Sequence, residues 1–122
     1  MTHAAALNAL CSDVHRRTSE AGWWTNLQTG ERLDRNVGEL LCLVHSEISE
    51  AMEGHRKSLM DDHLPDRLMI EVELADAVIR IADLCGALRL DLGGAIDAKL
   101  AYNAQRSDHK LEVRRADGGK AY

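Results

Sequence analysis

Four stretches of the chain repeat apolar residues at intervals of three and four, the spacing that lines one face of a helix. Leu7, Leu10, Cys11 and Val14 mark a first helix over about residues 4–18. A second, Val37–Lys57, carries a stripe of Val37, Leu40, Leu41, Val44, Ile48, Ala51 and Met52. A third is expected over about residues 66–90, with Pro65 suited to its first turn, and its stripe contains Ile70, Leu74, Ala77, Val78, Ile81, Leu84, Cys85 and Leu88. This helix has a second weakly polar side, Val72, Ala75, Ile79, Ala82 and Gly86, so it is expected to be covered on two sides, by the first helix or by another subunit. A fourth helix is expected over about residues 95–107. Between the first two helices the periodicity breaks at "SEAGWWTNLQTGERLDRN", read as a loop long enough to suggest a function.

Composition agrees with helix. The chain has 122 residues, 45% of them hydrophobic and 29% charged, with one Pro and no Phe, which predicts a single all-α domain over residues 1–122, a four-helix bundle. The formal net charge is −5 and no basic block is present, which argues against a nucleic-acid partner. Three separated cysteines without a C-x-x-C pair suggest neither a disulfide framework nor a thiolate zinc site. No run is long enough to span a bilayer, and the start of the chain lacks a basic leader, so a soluble cytoplasmic protein without a signal peptide is expected.

The chemistry concentrates in two acidic pairs. Glu47 and Glu50 on the second helix, and Glu73 and Asp76 on the third, are each three residues apart and therefore neighbours on one helix surface. Twenty acids make such pairs common, and a solvated face explains them equally well at this point. Both pairs nevertheless border the apolar stripe on the same edge. If the two helices pack antiparallel, four carboxylates converge, and hard oxygen ligands of that kind suit Mg²⁺ or Mn²⁺. On the fourth helix Lys99, Asn103 and Arg106 recur at i, i+4 and i+7, a plausible grip for phosphate. Arg80, one turn beyond Asp76, and Lys57, at the end of the second helix, add cations near the acids. Trp23 and Trp24 offer a flat surface for a nucleobase or, equally, a plug for the edge of the core. His45 and His55 share no helix face and no H-E-x-x-H occurs, which argues against a zinc site.

"HSEISEAMEGHRK", "DDHLPDR", "EVELADAVIRIADL", "KLAYNAQR" and "GGKAY", in that order, resemble the MazG-like branch of the all-α nucleoside triphosphate pyrophosphohydrolases. The resemblance covers about residues 37–122. It implies that Glu47, Glu50, Glu73 and Asp76 hold Mg²⁺ (or Mn²⁺ in its place) and that Lys99, Asn103 and Arg106 contact the triphosphate. It also implies hydrolysis of a nucleoside triphosphate to the monophosphate and pyrophosphate, with the chain working as a homodimer or homotetramer. The family's hallmark is Glu-Glu-x-x-Glu followed by Glu-x-x-Asp; here its first glutamate is replaced by Ser46. The number of metals is then left open, and either Glu47 or Glu50 is expected to serve as general base or a metal-bound hydroxide to suffice. The substrate reading leans to a purine such as dGTP, with a dUTP or dCTP hydrolase, or a non-enzymatic helical oligomerisation module, as alternatives.

Overall fold

The computed structural model describes residues 2–122 and is all-helical. Its elements are α1 (Ala4–Glu20), α2 (Val37–Lys57), α3 (Met69–Leu88), α4 (Leu92–Gln105), a 3₁₀ turn (Ser107–His109) and a short α5 (Leu111–Arg115). The expected four helices are thus joined by a fifth in the polar tail. Among the described residues extended backbone pairs only as isolated bridges, Thr25 with Arg32 and Met60 with Leu68. No described helix is long and apolar enough to cross a membrane.

The chain divides into two compact units, one holding residues 9–90, the other holding residues 91–122 with the first residues of the chain up to Asn8. In the larger unit α2 begins where Asn36 accepts a hydrogen bond from the Glu39 amide at 3.0 Å, a side-chain N-cap. It ends at Ser58, whose left-handed backbone (φ 53°) returns its N–H to the carbonyls of Gly54 and His55. The connection that follows is pinned at both ends, Met69 N–H to Leu59 O at 3.0 Å and Asp61 N–H to Arg67 O at 2.9 Å. Pro65 therefore lies in this closed turn. The third helix starts at Met69, not near residue 66, because the backbone of residues 60–68 is committed to the bridge and to the Asp61 turn.

Helices α2 and α3 then run antiparallel, and small residues allow their close approach. Ala51 and Gly54 of α2 and Ala77 of α3 are buried, and a Cβ on Gly54 would lie 2.7 Å from Met69 Cγ. On the far side of α3, Ala82 is buried and Gly86 meets α1, where an added Cβ would sit 2.5 Å from His15 Cβ and 2.7 Å from the Cys11 carbonyl oxygen. Of the second side expected for α3, the end at Ala82 and Gly86 is covered, with Gly86 against α1, whereas Ala75 and Ile79 are exposed. The expected core stripes differ from the structure in one respect. Leu41, Ile48 and Met52 of α2 and Leu74, Val78 and Ile81 of α3 are all exposed, and the acidic edge is turned inward in their place.

In the smaller unit Asp97 of α4 accepts hydrogen bonds from the amides of His3 and Ala4 at 2.8 to 3.0 Å, satisfying the open N–H groups at the start of α1. Gly93 lies so close to Ala4 that a Cβ there would collide with the Ala4 backbone. Helix α4 begins at Leu92 rather than near residue 95 because Asp91 caps it, accepting from the Gly94 amide at 2.8 Å.

Gly86→Ala tests the α1–α3 contact. Alanine gains about 1 kcal/mol in helix propensity, but overpacking against a backbone carbonyl and a Cβ costs about 1–3 kcal/mol. A lower urea midpoint is expected; an unchanged or higher one contradicts the packing.

Candidate functional site

Inward rotation of α2 and α3 places Glu47 and Glu73 among the few buried charged residues of the chain, with Asp76 half-buried beside them. One carboxylate oxygen from each lies within 4.8 Å of the others, an arrangement that can hold a metal ion. The antiparallel register produces this: Glu47 faces the segment between Glu73 and Arg80, seven residues or about two turns of α3. Arg80 donates its Nε–H to Glu47 Oε1 at 2.8 Å and neutralises one of the three charges. Glu73 Oε2 is buried with no hydrogen-bond partner.

Two like charges repel by about 4 kcal/mol at about 4 Å and an effective dielectric of about 20. That is a large share of the roughly 5–15 kcal/mol that holds a domain folded. The cluster therefore takes up either a proton or a cation. Burial first, then hydrogen bonding with Glu47 and the charges of Glu50, Glu47 and Asp76, push the Glu73 carboxyl up to about 8. Asp76 is raised as well, by burial first and then by Glu47, with Arg80 opposing. The donor set fits a hard divalent cation: oxygen ligands only, an unpartnered buried oxygen, and more negative charge than the single arginine offsets.

The carboxylates open into a groove of about 500 Å³ lined by Glu47, Glu50, Glu53, Asp61, Asp62, His63, Met69, Glu73 and Asp76. Glu50 is exposed on its wall and has no ion pair among the described residues. Asp61, which the sequence pattern did not single out, is buried and accepts from the His63 and Leu64 amides at 3.0 and 2.8 Å. The "DDHLPD" turn carries its signal only as an Asx turn before Pro65. Ser46 is exposed and its hydroxyl donates back to Leu43 O at 2.6 Å.

A second groove, of about 420 Å³, shares Glu47 and Asp76 with the first and continues to Thr18, Trp23, Arg35, Leu43, Ile79, Arg80 and Asp83. Trp23 stands at its wall, two-thirds exposed. Trp24 is buried, its Nε1–H donated to both Asp83 oxygens at 3.0 and 3.1 Å and its ring flanked by Arg32, Arg35 and the edge of His15. It is the core plug of the pair, with no face left for a base. Lys57 is exposed and paired with Glu53 at 2.5 Å.

Lys99, Asn103 and Arg106 belong to the smaller unit. Lys99 and Arg106 lie over the Tyr102 ring at 4.7 and 5.8 Å, and Asn103 Oδ1 is buried without a partner. The expected i, i+4, i+7 face is interrupted, because α4 ends at Gln105. Arg106 has extended backbone and holds Asp108 through two hydrogen bonds of 2.9 and 2.6 Å. Asp108 lies beyond the helical repeat, where periodicity gives no warning of the pairing.

Comparison with family models, curated proteins and solved structures finds no match to this chain.

The raised carboxyls set the sign of a pH effect. The folded chain retains on Glu73 a proton that the unfolded chain releases above its ordinary 4.5, so stability of the metal-free protein falls as pH rises from about 4.5 to about 8. Asp76, also raised, adds in the same direction. Melting temperatures across that window in EDTA are expected to decline, and Glu73→Gln to flatten the decline; a melting temperature that climbs with pH contradicts the buried cluster.

Proposed function

We propose that this chain is a MazG-like nucleoside triphosphate pyrophosphohydrolase in which Glu47, Glu73 and Asp76 hold Mg²⁺. The observation that carries the reading is the buried three-carboxylate cluster opening directly onto a groove lined by two arginines. Acids for a cation beside guanidinium groups for an anion are what a metal-bridged polyphosphate requires. The ordered motifs along the sequence supply the reaction class.

When bound, the cation supplies charge neutralisation to the phosphate oxygens and acidifies water in contact with it. The chain's own groups do the rest. With Glu47 committed to Arg80, Glu50, an unpaired carboxylate at the groove wall on the same helix, takes the proton from water as the water oxygen bonds to the α-phosphorus. The bond from that phosphorus to the bridging oxygen breaks, and pyrophosphate leaves with the electron pair. The terminal amino groups of Arg80 have no acceptor among the described residues and face charge developing on the leaving group. Ser46, its hydroxyl bonded back to its own helix, supplies no carboxylate in place of the hallmark's first glutamate, and the reading assigns the metal to the three acids present.

A second copy of the chain belongs to the same reading. The exposed Leu41, Ile48, Met52, Leu74, Val78 and Ile81 share the side of the α2–α3 pair opposite the acidic edge, an apolar face broader than a lone soluble chain ordinarily leaves in water. Packing against its own copy in a dimer covers it.

The test is product analysis by ion-exchange chromatography over a panel of NTPs and dNTPs, with Mg²⁺ or EDTA. Monophosphate and pyrophosphate are expected only with metal, with a purine such as dGTP favoured over dUTP and dCTP. Asp76→Asn and Glu50→Gln are expected to lower kcat by about 100-fold or more while the proteins stay folded. Diphosphate with inorganic phosphate as products, or full turnover in Asp76→Asn, overturns the reading.

A further inference from the structure

We infer that Arg35, in the loop that enters α2, is an oxyanion-binding residue of the same groove, placed to take a phosphate group of the substrate. The inference deepens the pyrophosphohydrolase reading and rests on it for the identity of the natural ligand.

Arg35 is half-buried and lines the groove with Arg80, Glu47 and Asp76. No carboxylate pairs with it among the described residues, whereas Arg80 is held by Glu47. Its one hydrogen bond is a long one, 3.5 Å from Nη1 to the Trp23 carbonyl oxygen. A guanidinium carries five N–H donors, and a half-buried one left without an anion forgoes strong charge-assisted bonds. An arginine kept in that condition inside a groove is positioned for an anion that arrives from outside.

The position is built, not accidental. The guanidinium carbon lies 5.0 Å from the centre of the Trp24 ring, a cation–π contact that orients the fork without using its donors. Trp24 is fixed in turn by Asp83, which also accepts from Thr18 Oγ1 at 2.5 Å and pairs with His15 Nδ1 at 2.8 Å. On the chain's other side, the Asn36 cap clamps the backbone immediately after Arg35. A planar fork held by stacking, with all but one of its N–H groups without an acceptor among the described residues and a second arginine on the same groove, suits phosphate oxygens better than a single carboxylate.

The probe is Mg²⁺ with inorganic tripolyphosphate, read by calorimetry and by fluorescence of Trp23 and Trp24, the two tryptophans of the chain, which both adjoin Arg35. Arg35→Met keeps the stem over Trp24 and removes the charge; Arg35→Lys keeps the charge and loses the fork. Arg35→Met is expected to weaken tripolyphosphate binding by about 10-fold or more and Arg35→Lys by less. Binding of Mn²⁺ alone is expected to stay unchanged in both. Equal affinity of wild type and Arg35→Met, or no tripolyphosphate binding by the wild type, overturns the assignment. Equal loss in both variants with a changed near-UV signal from Trp24 also overturns it and makes Arg35 a prop for the indole. Wild-type protein that binds tripolyphosphate through Arg35 but cleaves no nucleotide leaves the anion site standing and removes the pyrophosphohydrolase reading alone.

Discussion

Three carboxylates packed between two helices impose a condition that the rest of the larger unit is arranged to meet. Glu47, Glu73 and Asp76 cannot all stay ionised in their buried setting without a countercharge, and one arginine answers one of them. What remains is a deficit of positive charge at a fixed point, bordered by an acid-lined groove and by a second groove that carries two arginines. A divalent cation has the charge and the hardness to fill that deficit.

Holding like charges together requires a scaffold that does not relax away from them. Ala51, Gly54 and Ala77 let α2 and α3 approach closely, the bridged turn between them fixes the register, and Gly86 brings α1 against the back of α3. From α1 the order passes through His15 and Thr18 to Asp83, and from Asp83 through Trp24 to Arg35. Asp76 and Arg80, beside the carboxylates, and Asp83, which fixes Trp24 against Arg35, therefore line one groove from the same face of α3. The cost is visible on the outside of the pair: turning the acids inward leaves the leucine and valine stripe exposed.

Much of this was legible in the residues. The bounds of α2 follow from a sustained stripe with Asn36 before it, and the i, i+3 acid pairs on matching edges already pointed to convergence. Rotation about the helix axis was not legible, because a stripe flanked by acids can bury either the stripe or its edge, and only the small residues at positions 51, 54 and 77 decide. Asp61, Arg35 and the burial of Trp24 arise from loops, where no periodicity relates sequence distance to spatial distance. Arg106 was misplaced on a helical face because the helix stops one residue short of it, and Asp108, two residues on, claims its guanidinium.

The central claim, that the buried carboxylates bind a divalent cation in place of a proton, is tested most directly by calorimetric titration of Mn²⁺ near pH 7 in two buffers of different ionisation enthalpy. Glu73, held up to about 8, is protonated there in the metal-free protein. Binding is expected to release about one proton per cation in the wild type, and Glu73→Gln to bind far more weakly with no such release. Heats that show no binding, or tight binding that Glu73→Gln leaves untouched, would contradict the account.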